Sequence, residues 1–102
     1  MNRTTLAGMA AIVLFGVVGP AHAAGDAQAG KGKAAACAAC HGAGGQGVGS
    51  NPPLAGKSEA QLVQALKDYK SGKRDNAIMK GMASSLSDQD MENVAAYYAS
   101  LK

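Results

Sequence analysis

Both cysteines of the chain and one of its two histidines fall within five residues, Cys37-Ala38-Ala39-Cys40-His41. Two thiols three apart with an imidazole behind the second suit three chemistries: a zinc site, an exchangeable disulfide, or a porphyrin joined through thioethers. On a helix, Cys37, Cys40 and His41 stand at i, i+3 and i+4 and project from one face. Two thiols so placed can add to the two vinyl groups of a haem while His41 reaches the iron from one side. C-x-x-C-H is the attachment signature of haem c. A closed zinc site needs four ligands, and the chain has no second cysteine pair. A thioredoxin-like pair expects strands around the motif, and no stretch here reads as a convincing strand.

The segment ahead of the motif bears on its chemistry. Arg3 is followed by Leu6 to Val18, thirteen apolar or small residues, then by Gly19-Pro20 and Ala21-His22-Ala23. This is the layout of a secretory signal, so residues 1–23 are expected to be cleaved, leaving one domain over residues 24–102. Thirteen residues fall short of the roughly 20 that span a membrane, so no stable insertion is expected after cleavage. Removal of the leader leaves nine Lys/Arg against seven Asp/Glu, a net charge of +2, and His41 as the only histidine. It also leaves fifteen larger apolar or aromatic side chains, from Val48 to Leu101, in a chain otherwise rich in Ala and Gly. A core that thin supplies at most about 3–5 kcal/mol. A haem, as a large apolar disc, would complete it.

Three helical stretches must position the motif. The first runs from Asp26, a natural N-cap, to about Ala39; Gly30 and Gly32 lower its propensity, so packing has to hold it. Ser58 opens the second with Gln61 completing a capping box, Leu62, Leu66 and Tyr69 recur at helical spacing, and Gly72 is the stop. The third begins at Ser87 with acids in its first turn and carries the stripe Met91, Val94, Tyr98 and Leu101. Between them lie Gly42 to Pro53, with five glycines in its first eight residues, and Lys73 to Leu86, with room for one short turn of helix. Connections this long in a small domain are usually functional.

Two nucleotide-binding patterns are loop composition only. Gly42 to Gly47 matches G-x-G-x-x-G, but a helical motif precedes it where a strand is required. Gly56-Lys57-Ser58 resembles the end of a phosphate loop, but Asn51 stands where its first glycine belongs. The lysines form no run of five like charges, so nucleic-acid binding has no support.

The second axial position of the iron has no histidine to fill it, and thioether sulfur is the next established ligand. Met91 lies in the apolar stripe of the last helix and reads as core. Met79 and Met82 share the connection after the second helix, and spacing does not separate them.

CAACHG, the "PPLAG" of residues 52–56, "RDNAIMKGM" and "LSDQDM…AAYYAS" follow in an order that resembles the small class I cytochromes c of the cytochrome c553, c5 and c4 group. The resemblance covers essentially all of residues 24–102. It implies an all-α cytochrome c fold, with three principal helices and short turns around one haem c bound covalently through Cys37 and Cys40. It implies His41 and Met79 as iron ligands, and Pro52 as the carbonyl that orients the His41 ring. Arg74 and Asn76 match the group's "RxNxxM", where contacts to haem propionates or loop-bracing bonds are expected. It also implies close crossing of the first and last helices at Gly30, beside Tyr97 and Tyr98. One departure is visible: the group often carries an acid shortly after CxxCHG, where this chain has Gly44-Gly45. The expectation is a soluble periplasmic one-electron carrier, not an enzyme, meeting redox partner proteins as a monomer or weak dimer. The alternative is a haem-based gas-binding or peroxidatic protein with a labile methionine.

Overall fold

The computed structural model describes residues 25–101; the expected leader over residues 1–23 lies outside them. Five helices follow in order: α1 Ala27–Lys33, α2 Ala35–His41, α3 Glu59–Ser71, α4 Ala77–Ser84 and α5 Asp88–Ser100. Among the described residues the only extended pairing is one isolated bridge between Val48 and Asn51.

Each long helix starts where a side chain replaces a missing backbone acceptor. The Ser58 hydroxyl accepts from Gln61 N at 3.1 Å, while Gln61 Oε1 accepts from Ser58 N at 3.2 Å. Ser87 and Asp90 make the same reciprocal pair at 3.0 and 3.1 Å. Two N–H groups that no intrahelical carbonyl can reach are thereby satisfied at each start. Gly72, at φ +87°, ends α3 in the left-handed conformation.

The three expected helices are present, with two differences. The first is split at Ala34. The Ala34 carbonyl takes the amides of both Cys37 and Ala38 at 2.9 Å, and the Tyr98 hydroxyl reaches it at 3.4 Å. A carbonyl shared among three donors tightens the turn and separates α1 from α2. The second half also runs two residues further than expected, so His41 is the last residue of α2. The connection after α3 holds not a short turn but the eight-residue helix α4. Its N-cap is Asn76, whose Oδ1 accepts from Met79 N at 3.0 Å.

α1 packs on α5, α5 on α3, and α3 on α4, with α2 continuing from α1. At Gly30 a Cβ would overlap the Asn93 carbonyl of α5, so only glycine admits that crossing. The core is small: Ala34, Leu62, Val94, Ala95 and Tyr98 form one buried cluster, against which Cys37, Leu54, Val63, Tyr97 and Leu101 pack. Met91 is also fully buried, as a core residue of the last helix should be. Ile78 and Val48, by contrast, are 73% and 54% exposed. The polypeptide alone leaves large apolar side chains uncovered, on α4 and on the glycine-rich loop.

Candidate functional site

α2 presents the motif. Cys37 is half-buried, Cys40 is exposed, and neither is in a disulfide. Burial, and secondarily the neighbouring Cys40, pushes the Cys37 thiol above its ordinary pKa. A thiol-exchange nucleophile needs the opposite shift. Among the described residues no three His, Cys, Asp or Glu side chains converge as a metal cluster.

His41 is only 7% exposed. Its Nδ1 lies 2.7 Å from the Pro52 carbonyl oxygen. A carbonyl can only accept, so Nδ1 carries a proton, which in the neutral ring leaves the lone pair on Nε2. No hydrogen-bond partner for Nε2 occurs among the described residues. On a residue this buried a polar atom normally has a partner, and an iron would supply one for Nε2. Together with two unpaired thiols on the same helix and the uncovered apolar side chains, this makes the chain fit a haem.

The loop after α2 is built around this histidine. The last carbonyls of a helix lack intrahelical donors, and the loop supplies them from three places. Gly42 N donates to Ala38 O at 3.0 Å, Gly47 N to His41 O at 2.7 Å, and Asn51 Nδ2 to Cys40 O at 2.9 Å. Gly47 takes φ +87°, and a Cβ there would press on Pro53 N at 2.9 Å and Asn51 O at 3.0 Å. Further along, Leu54 N and Ala55 N both donate to Gly45 O, at 2.7 and 2.9 Å. Where the resembling group often has an acid, Gly44 N instead donates to the Gln46 side chain at 2.9 Å. The Asn51 bond was not legible beforehand, because an Asn before two prolines reads as a turn residue.

The other candidate residues lie on and before α4. Met79 is half-buried, and Met82, one turn on, is 37% exposed. Asn76 braces the first turn of α4 through the Met79 amide. The Arg74 guanidinium lies over the Tyr69 ring, 4.6 Å from its centroid, and Arg74 N donates to Asp68 O at 3.1 Å. Both residues therefore brace the turn between α3 and α4.

Known proteins show the same pattern. The cytochrome c family profile matches residues 27–102. Cytochrome c4 of Pseudomonas aeruginosa is 50% identical over 92 residues, covering 89% of this chain and 46% of that protein. Cytochrome c-554(548) of Halomonas halodenitrificans is 46% identical over 81 residues, covering 76% of this chain and 98% of that protein. The crystal structure of reduced recombinant cytochrome c4 from Pseudomonas stutzeri superposes with a TM-score of 0.73 at 45% identity, covering 78% of this chain and 47% of that one. The chain thus spans about half the length of the cytochrome c4 relatives it matches. With the motif on α2, the helical fold and these likenesses in agreement, the chain belongs to the cytochrome c family, as a small class I member of the c4/c5 group whose haem c is bound covalently through Cys37 and Cys40.

Proposed function

We propose that this protein is a soluble one-electron carrier of the periplasm, exported by the leader over residues 1–23, with His41 and Met79 as the two axial ligands of its haem iron. The observation that carries the reading is the buried His41 ring, anchored at Nδ1 by Pro52 and free at Nε2. The haem supplies the one-electron iron couple. The residues around it hold still. Cys37 and Cys40 tether the group, Pro52 fixes the tautomer and rotation of His41, and Asn76 organises the turn from which Met79 projects.

A carrier works best when its ligands stay in place in both oxidation states. The bonded loop after α2 serves that purpose, and a second strong ligand would leave no position for a substrate. Redox proteins are the partners such a site would meet. Among the described residues no helix is long and apolar enough to cross a membrane.

A reduced-minus-oxidised spectrum of the purified protein tests the reading. A low-spin c-type spectrum that carbon monoxide does not change at neutral pH is the expected result. Rapid carbon monoxide binding by the native reduced protein would reject the carrier assignment and leave a gas-binding or peroxidatic centre.

A further inference from the structure

Pro52 holds the His41 ring, but Pro52 itself is poorly equipped to stay in place. Neither Pro52 nor Pro53 has an N–H, so neither can anchor its own backbone by donating. The nearest donors are Asn51 on one side and Leu54 on the other. Leu54 N is committed to Gly45 O at 2.7 Å. Asn51 has two commitments. Its backbone pairs with Val48, N to O at 2.9 Å and O to N at 3.1 Å, closing the turn through Gly49. Its side-chain amide donates to Cys40 O at 2.9 Å.

These bonds form a closed figure. Cys40 and His41 are consecutive, and so are Asn51 and Pro52. One rung joins Cys40 to Asn51 at 2.9 Å, and the next joins His41 to Pro52 at 2.7 Å. The first rung fixes how far the Pro52 carbonyl stands from the last turn of α2. The second converts that distance into the strength of the bond at Nδ1.

We propose that Asn51 is a positioning residue for the histidine ligand: its amide, through Cys40 O, keeps the Pro52 carbonyl on His41 Nδ1 and so tunes the imidazole that faces the iron. The inference rests on the reading of His41 as an iron ligand. A strong Nδ1–H···O bond makes the imidazole a better donor and favours the oxidised iron. Loosening the first rung therefore weakens that donation and raises the reduction potential.

The experiment uses labelled holoprotein, with exchange of the His41 Nδ1–H followed by NMR beside the reduction potential. Asn51→Leu keeps the bulk and removes the donor. It is expected to speed the exchange by about twofold to tenfold, the Boltzmann factor of one ordinary hydrogen bond, and to shift the potential upward. Asn51→Asp, which has the same shape with an acceptor in place of the amide, should speed the exchange as well and stands in if Asn51→Leu fails to fold. Gln46→Ala loosens the same loop without touching either rung and should leave both readouts at wild-type values. Wild-type exchange in either Asn51 variant would overturn the proposal, and so would a Gln46→Ala shift as large as that of Asn51→Leu. A wild-type protein lacking a low-spin haem spectrum would contradict the ligation reading instead, and Nδ1–H exchange would still report on the rung.

Discussion

The two sides from which the iron would be held are built differently. On the α2 side, the end of the helix is bound at Ala38 O, Cys40 O and His41 O by three separate donors, and the His41 ring is bound by a fourth group. On the α4 side, an eight-residue helix packs on α3 and starts from a single cap, Asn76. Ile78 of that helix is 73% exposed and Met82 is 37% exposed. His41 is thus set in a bonded frame, and Met79 projects from a lightly tethered helix. Loss of the first frame as a whole should therefore strike haem attachment and folding together. Damage on the α4 side should strike ligation first and leave the fold standing.

The largest effect expected is on attachment. Replacing Cys37 and Cys40 together by Ala removes both thioether bonds, so the haem should become extractable from the denatured protein and the covalent mass increment should vanish. Retention of covalent haem would contradict the account at its base. Next comes ligation. Met79→Ala should open the iron to carbon monoxide while helical circular dichroism stays near wild type. If that variant unfolds outright, the α4 side is no looser than the α2 side and the contrast fails. A smaller effect is expected from Asn76→Ala, which removes the cap of α4 and should cost about 1 kcal/mol. Its sign is a lower temperature for loss of methionine ligation, read in the red absorption band of the oxidised protein, with global unfolding shifted less.

Tyr98 gives the smallest change. Burial above all pushes its phenol up to about 12 from an ordinary 10.0. The folded state therefore keeps that proton longer than the unfolded chain does. The stability it contributes is in full force below pH 10.0 and falls as pH rises towards 12. Tyr98→Phe should flatten this alkaline limb in denaturant titrations. It should cost only about 0.5 kcal/mol at neutral pH, the low end for a single hydrogen bond, because its contact with Ala34 O is long at 3.4 Å.

The same contrast runs through what was legible in the sequence. Features set by neighbours a turn apart could be read directly: the capping box at Ser58, the helix start at Ser87, the stop at Gly72, the shared face of Cys37, Cys40 and His41. Those set by distant partners could not. The Tyr98 hydroxyl that reaches the Ala34 carbonyl at the break lies 64 residues away. The Asn51 rung spans 11 residues through a loop of irregular backbone. α4 was hidden for another reason. Its cap, Asn76, stands in a run of turn-forming residues, and Gly81 lowers the propensity of the helix it opens. Arg74 and Asn76 were marked by resemblance as haem contacts or loop braces; in the structure Asn76 caps α4, and Arg74 lies over Tyr69 of α3.

The oxidised absorption spectrum of three proteins tests the central claim most directly: wild type, Met79→Ala and Met82→Ala. The account predicts the weak red band of methionine-ligated haem in wild type and in Met82→Ala, and its absence from Met79→Ala. A band that survives in Met79→Ala and disappears in Met82→Ala would contradict the assignment of the second ligand. A wild-type protein without the band would contradict the ligation by methionine altogether.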